Sequence, residues 1–167
     1  TFAGGLVDGY GLQKGDRVGI AARNSANWII VHMAIIMAGG VSTLLNGWWQ
    51  GGELADGINM VACRYVIADD QRAARLAGSD IGQSEIILMQ HDCMPLEGLS
   101  ALLARGGDST TPLPAIDPLD NATILYTSGS TGQSKGAWSD HRGVVQGAMS
   151  YVGQTMVLFE LMQAAGT

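Results

Sequence analysis

Short apolar runs alternate with helix-length segments from one end of the chain to the other, and this constrains the fold more than any other feature. Runs rich in Val, Ile, Leu and Ala fall at 17–22, 41–45, 64–68, 85–89 and 122–126. Helical patterns fall between and around them, at 2–10, 26–38, 53–62, 69–76, 96–104 and 141–162. Strand–helix alternation of this kind predicts an α/β fold: a mostly parallel sheet with helices on both faces. In such sheets the loops at the carboxyl ends of the strands form the ligand crevice. At 167 residues the chain suits one domain, and no internal repeat or interdomain linker interrupts it.

Helix starts and stops support this parsing. Asn24 or Ser25 offers a side-chain oxygen to the first turn of the 26–38 helix, and Gly39-Gly40 ends it. Asp69 and Asp140 cap the helices that follow them. The 26–38 helix is apolar nearly all round, yet shorter than the roughly 20 residues that span a bilayer, so burial between layers is expected. The last helix carries no charge from Gly143 to Phe159, but Gln146, Ser150, Gln154 and Thr155 interrupt it. The expectation is again a helix buried in a large α/β domain, with no transmembrane span.

The fifth apolar run leads into Thr127-Ser128-Gly129-Ser130-Thr131-Gly132-Gln133-Ser134-Lys135-Gly136. Glycines let a backbone turn its N–H groups inward, and several in one turn make a concave anion site. Hydroxyls add neutral donors and lysine a point charge suited to phosphate. The loop is not a Walker A sequence, because Ser134 and Gly136 stand where that pattern needs glycine and Ser/Thr. Nor is it a G-x-G-x-x-G dinucleotide turn. On the residues alone two readings stand: a phosphate cradle, and a flexible Gly/Ser surface loop.

The run Tyr126-Thr127-Ser128-Gly129-Ser130-Thr131-Gly132-x-x-Lys135-Gly136 resembles the signature loop of the adenylate-forming (AMP-binding) superfamily, with Ser134 where proline is usual. Gly15-Asp16-Arg17-Val18-Gly19-Ile20, Asn24-Ser25-x-x-Trp28, Ala38-Gly39-Gly40-Val41 and Leu45-Asn46 resemble earlier landmarks of that family in the same order. The resemblance implies an ATP-dependent carboxylic acid–CoA ligase, which forms an acyl-adenylate and pyrophosphate and then an acyl-CoA thioester. It implies that Thr127, Ser128, Ser130, Thr131 and Lys135 hold the β- and γ-phosphates, that Gly129, Gly132 and Gly136 let the loop close, and that Lys135 serves catalysis. ATP, Mg2+ and coenzyme A are the implied cofactors and co-substrates. A fatty acid is the expected acid. The family's adenine, ribose and catalytic-lysine motifs do not occur in these residues. The chain therefore resembles an internal piece of the large N-terminal domain over 1–167, without the C-terminal domain, and is expected to be inactive alone. The alternative is a non-catalytic adenylation-like protein that acts as a binding module. A sheet cut after the fifth run is expected to expose apolar surface and to self-associate.

Net charge of −6 argues against a broad nucleic-acid face, and a charged fraction of 14% against about 25% in ordinary domains hints at surface meant to pack on protein. Cys63 and Cys93 lack CxxC spacing and read as structural thiols of a reducing, cytoplasmic setting. No metal site is expected: His32 reads as a satisfied core histidine, and His91-Asp92-Cys93 do not make a closed metal set. For His141 two readings stand, a place near the active site and a half-exposed helix start capped by Asp140. Trp48 and Trp49 either line a ligand surface or pack their loop.

Overall fold

The structure is a computed structural model and describes residues 1–106, 110–128 and 134–165. Six strands form one sheet in the order β4-β3-β1-β2-β5-β6. They are β1 (Arg17–Ala21), β2 (Val41–Leu44), β3 (Tyr65–Ala68), β4 (Glu85–Leu88), β5 (Asn121–Ser128) and β6 (Ser134–Asp140). The first five are mutually parallel, and β6 returns antiparallel to β5. The helices are α1 (Phe2–Tyr10), α2 (Ala26–Met37), α3 (Gly51–Met60), α4 (Asp70–Leu76), α5 (Ser100–Gly106, after a 3-10 turn over Glu97–Leu99) and α6 (His141–Ala164).

The period-2 alternation of the strands sorts side chains to two cores. Val18, Ile20, Tyr65 and Ile67 face one core with residues of α1, α2 and α5. Ala21, Val66 and Ala68 face the other with residues of α3 and α4. The chain after β1 therefore leaves to one face of the sheet, and the chains after β2 and β3 leave to the other. Between them, at the carboxyl edge, the loops part.

Single polar residues fix several joints. Ser25 caps α2, its Oγ accepting from Trp28 N–H at 3.1 Å. Asn27, 1% exposed, accepts from Leu96 N–H at 2.8 Å and donates to Gln90 O at 3.1 Å, which ties α2 to the loop after β4. His32 is half-buried, stacks on Trp28 and lies 2.9 Å from Ser42 Oγ through Nδ1; burial lowers its pKa.

Two expectations about burial need correction. Helix α2 is not enclosed: Ile29, Met33 and Met37 form an exposed stripe along it, because only one side of α2 meets the sheet and α1. None of the described residues of α6 is buried. Burial needs a facing partner, and beyond its first turns no described element runs beside this helix. No helix among the described residues is long and apolar enough to cross a membrane.

Candidate active site

The signature residues straddle the β5–β6 hairpin. Residues 129–133 lie outside the described residues, so Gly129, Ser130, Thr131 and Gly132 cannot be placed. On either side the register is Ser128↔Ser134, Thr127↔Lys135 and Tyr126↔Gly136. Thr127 and Lys135 are both exposed, and the Thr127 hydroxyl donates to Lys135 O at 3.5 Å. Among the described residues the Lys135 ammonium has no carboxylate partner, so its charge faces outward, available to an anion.

The base of the hairpin is tied to α3 and the loop before it. The Tyr126 hydroxyl donates to Gly57 O, and its ring meets Trp49 edge-on at 5.1 Å. Burial, and then the nearby Cys63 thiol, push the Tyr126 pKa up, so the phenol stays a neutral donor. Gly136 sits opposite, where a Cβ would come within 3.2 Å of Ile124 and 3.6 Å of Val61. A side chain there would crowd the Ile124 methyl. Trp49 thus packs its loop, as one of the two readings held.

Of the other candidates, Asp140 caps α6 as expected, accepting from Gly143 N–H at 2.6 Å. His141 stands at the far end of the hairpin, where Asp140 pairs with Asn121 and His141 N–H donates to Asp120 O. Seven residues of β6 separate it from the turn, roughly 23 Å at strand rise. The helix-start reading holds and the active-site reading does not. No group of three His, Cys, Asp or Glu among the described residues could hold a metal ion.

A second feature shares this edge of the sheet. A crevice of about 660 Å3 opens where the loops after β1, β2 and β3 part, lined by Arg23, Arg72, Arg75, Asn46, Trp48 and neighbours. Leu44, in its wall, pairs with Leu125 of β5, so the crevice lies one strand from the signature hairpin. Asp69, 1% exposed, organises it: its carboxylate accepts from Arg72 N–H at 2.9 Å, Arg72 Nη1 at 2.9 Å and Arg23 N–H at 3.0 Å. Sequence reasoning missed the arginines of this crevice. The available signal was Asp69-x-x-Arg72-x-x-Arg75 directly after a strand, which puts both guanidiniums on one side of a helix.

The sequence pattern of the family described as AMP-binding enzyme matches residues 1–163. The 4-coumarate–CoA ligase of Pinus taeda is 27% identical over 152 residues, 90% of this chain and 28% of that protein. The mitochondrial medium-chain acyl-CoA ligase ACSF2 of Mus musculus is 27% identical over 184 residues, 92% of this chain and 29% of that protein. The solved N-terminal subdomain of NpsA from Klebsiella oxytoca superposes with a TM-score of 0.66 at 23% identity, covering 86% of this chain and 34% of that one. This chain thus spans under a third of the length of those two ligases.

Proposed function

The chain belongs to the AMP-binding enzyme family, and from that premise we propose that it carries the phosphate-binding part of an ATP-dependent carboxylic acid–CoA ligase. One observation carries the reading. The signature residues Thr127 and Lys135 are cross-strand partners beside the turn, at the carboxyl edge of a parallel strand, with the lysine exposed and, among the described residues, without an acidic partner. A charge so placed attracts the oxygens of a polyphosphate. When a carboxylate attacks the α-phosphate of ATP, negative charge builds on the departing pyrophosphate, and donors fixed around those oxygens lower the barrier. Lys135 supplies such a donor; Thr127, whose hydroxyl would turn from Lys135 O, with Ser128, Ser130, Thr131 and the glycines Gly129, Gly132 and Gly136, completes the proposed cradle. Coenzyme A then accepts the acyl group as a thioester.

The proposed acid is a fatty acid. A relative named as a medium-chain acyl-CoA ligase supports it, while a relative named for 4-coumarate makes aromatic acids the competing arm. The 167 residues hold none of the family's adenine, ribose or catalytic-lysine motifs, so the proposal assigns them phosphate binding without turnover; two cysteines without CxxC spacing support a reducing, cytoplasmic setting. The exposed apolar side chains of α6 support self-association, which light scattering at rising concentration would show as growing mass; a constant monomer would contradict it.

The testing experiment is acid-dependent ATP–pyrophosphate exchange with short, long and aromatic acids, on the chain and on Lys135→Ala. No exchange is expected from either. Exchange by the chain that Lys135→Ala abolishes would overturn the assignment of binding without turnover.

A further inference from the structure

We propose that Tyr126 is a positioning residue for phosphate binding: by bonding the carbonyl of Gly57 it fixes the end of β5, and with it the cross-strand pair Thr127–Lys135, relative to the sheet. The proposal rests on the reading of Lys135 as a phosphate donor.

The place where strand pairing stops makes Tyr126 the pivot. β5 is held in the sheet by its parallel pairs with β2, which are Ser42↔Thr123, Thr43↔Ile124 and Leu44↔Leu125. Tyr126 is the first residue beyond the last of them. From there Tyr126, Thr127 and Ser128 pair only with Gly136, Lys135 and Ser134 of β6, so the hairpin leaves the sheet as a two-stranded ribbon. Such a ribbon is marginally stable on its own, so its direction depends on what ties it down. Among the described residues, Tyr126 is the one side chain of this ribbon that hydrogen-bonds to the body of the domain; the Thr127 hydroxyl reaches only across to Lys135 O.

The anchor is prepared on both sides. Gly57 lies in the last turn of α3, where helix carbonyls run out of partners. The Val61 N–H that would ordinarily reach Gly57 O turns to Asn59 O instead, and the Tyr126 hydroxyl takes its place. Burial keeps the phenol protonated and so able to donate. Trp49 braces the ring: it meets Tyr126 edge-on, and its indole lies so close to Gly57 that a Cβ there would come within 2.8 Å of Trp49 Cζ3. The Trp49 carbonyl in turn accepts from Arg75 Nη1 at 2.9 Å. Across the ribbon, a Cβ at Gly136 would lie 3.8 Å from Tyr126 Cε1, so the ring also covers the β6 backbone there. Lys135 is the neighbouring residue of β6, and its side chain therefore starts from a point that Tyr126 holds. A lysine on a fixed backbone loses less freedom when it meets an anion.

The test is a double-mutant cycle read by calorimetric titration of the chain with ATP and with AMP. Tyr126→Phe keeps the ring and removes the hydroxyl. It is expected to weaken ATP about fivefold and to leave AMP unchanged. In the Lys135→Ala background the same change is expected to cost little more, because a positioning residue acts through the group it places. A merely structural role would instead weaken both nucleotides and add to the Lys135→Ala loss. Thermal melting checks that each variant folds; should Tyr126→Phe fail to, Trp49→Leu, which keeps the hydroxyl bond and removes its brace, is read in the same cycle. ATP affinity lost in Lys135→Ala but kept in Tyr126→Phe, or losses that add, would overturn the positioning role and leave the phosphate reading standing. An ATP affinity indifferent to Lys135 would overturn the phosphate reading, and the proposal with it.

Discussion

At the scale of single residues, Asp69 and Cys63 make the clearest demands. Asp69 is buried, caps α4 and neutralises Arg72 in one position. Removing one partner of a buried pair leaves the other charge uncompensated, a loss of about 3–5 kcal/mol. Asp69→Asn keeps the shape and removes the charge, so its urea midpoint should fall by the equivalent of about 3 kcal/mol; a fall below about 1 kcal/mol, the value of an exposed pair, would contradict the role. Burial pushes the Cys63 thiol up from 9.0 to about 11. A thiol held neutral in the folded state contributes stability that is whole below its unfolded value and lost as pH rises through the folded one. Stability should therefore decline between about pH 9 and 11, and Cys63→Ser should flatten that decline. With a thiol reagent at pH 8, the half-exposed Cys93 should react first and Cys63 only on unfolding, because the thiolate is the nucleophile.

At the scale of elements, glycines separate packing from propensity. Gly9 in α1 faces the backbone of α5: a Cβ there would strike the Arg105 carbonyl, and backbone cannot give way as a flexible side chain can. Gly52 in α3 has open space at the same position. Alanine gains about 1 kcal/mol of helix propensity over glycine, and overpacking costs about 1–3 kcal/mol or more. Gly52→Ala should thus raise the melting temperature and Gly9→Ala lower it; the same sign for both would contradict the packing.

The strands and helices were legible because period-2 and period-3.6 patterns are local. The β6 strand, from Ser134 to Asp140, lies outside the five apolar runs. Ser134, Lys135 and Gly136 carry no apolar alternation, and pairing with β5 defines them instead. Exposure was not legible: the apolar residues of α2 and α6 look the same whether or not another element covers them. The arginine crevice was not legible either, since Arg23, Gly47, Arg72 and Arg75 meet only through the strand order. What the sequence did carry was the strand that leads into the run 127–136, because its apolar residues are consecutive.

At the scale of the whole molecule, β1, β2, β3 and β5 run in one direction, so their carboxyl ends gather the signature hairpin and the crevice along a single edge. The central claim is that the hairpin holds the β- and γ-phosphates through Lys135, and calorimetric titration of the chain with ATP and with AMP tests it most directly. The account expects ATP to bind more tightly than AMP, and Lys135→Ala to weaken ATP about tenfold while leaving AMP unchanged. Equal affinities for the two nucleotides, or an ATP affinity indifferent to Lys135, would contradict it.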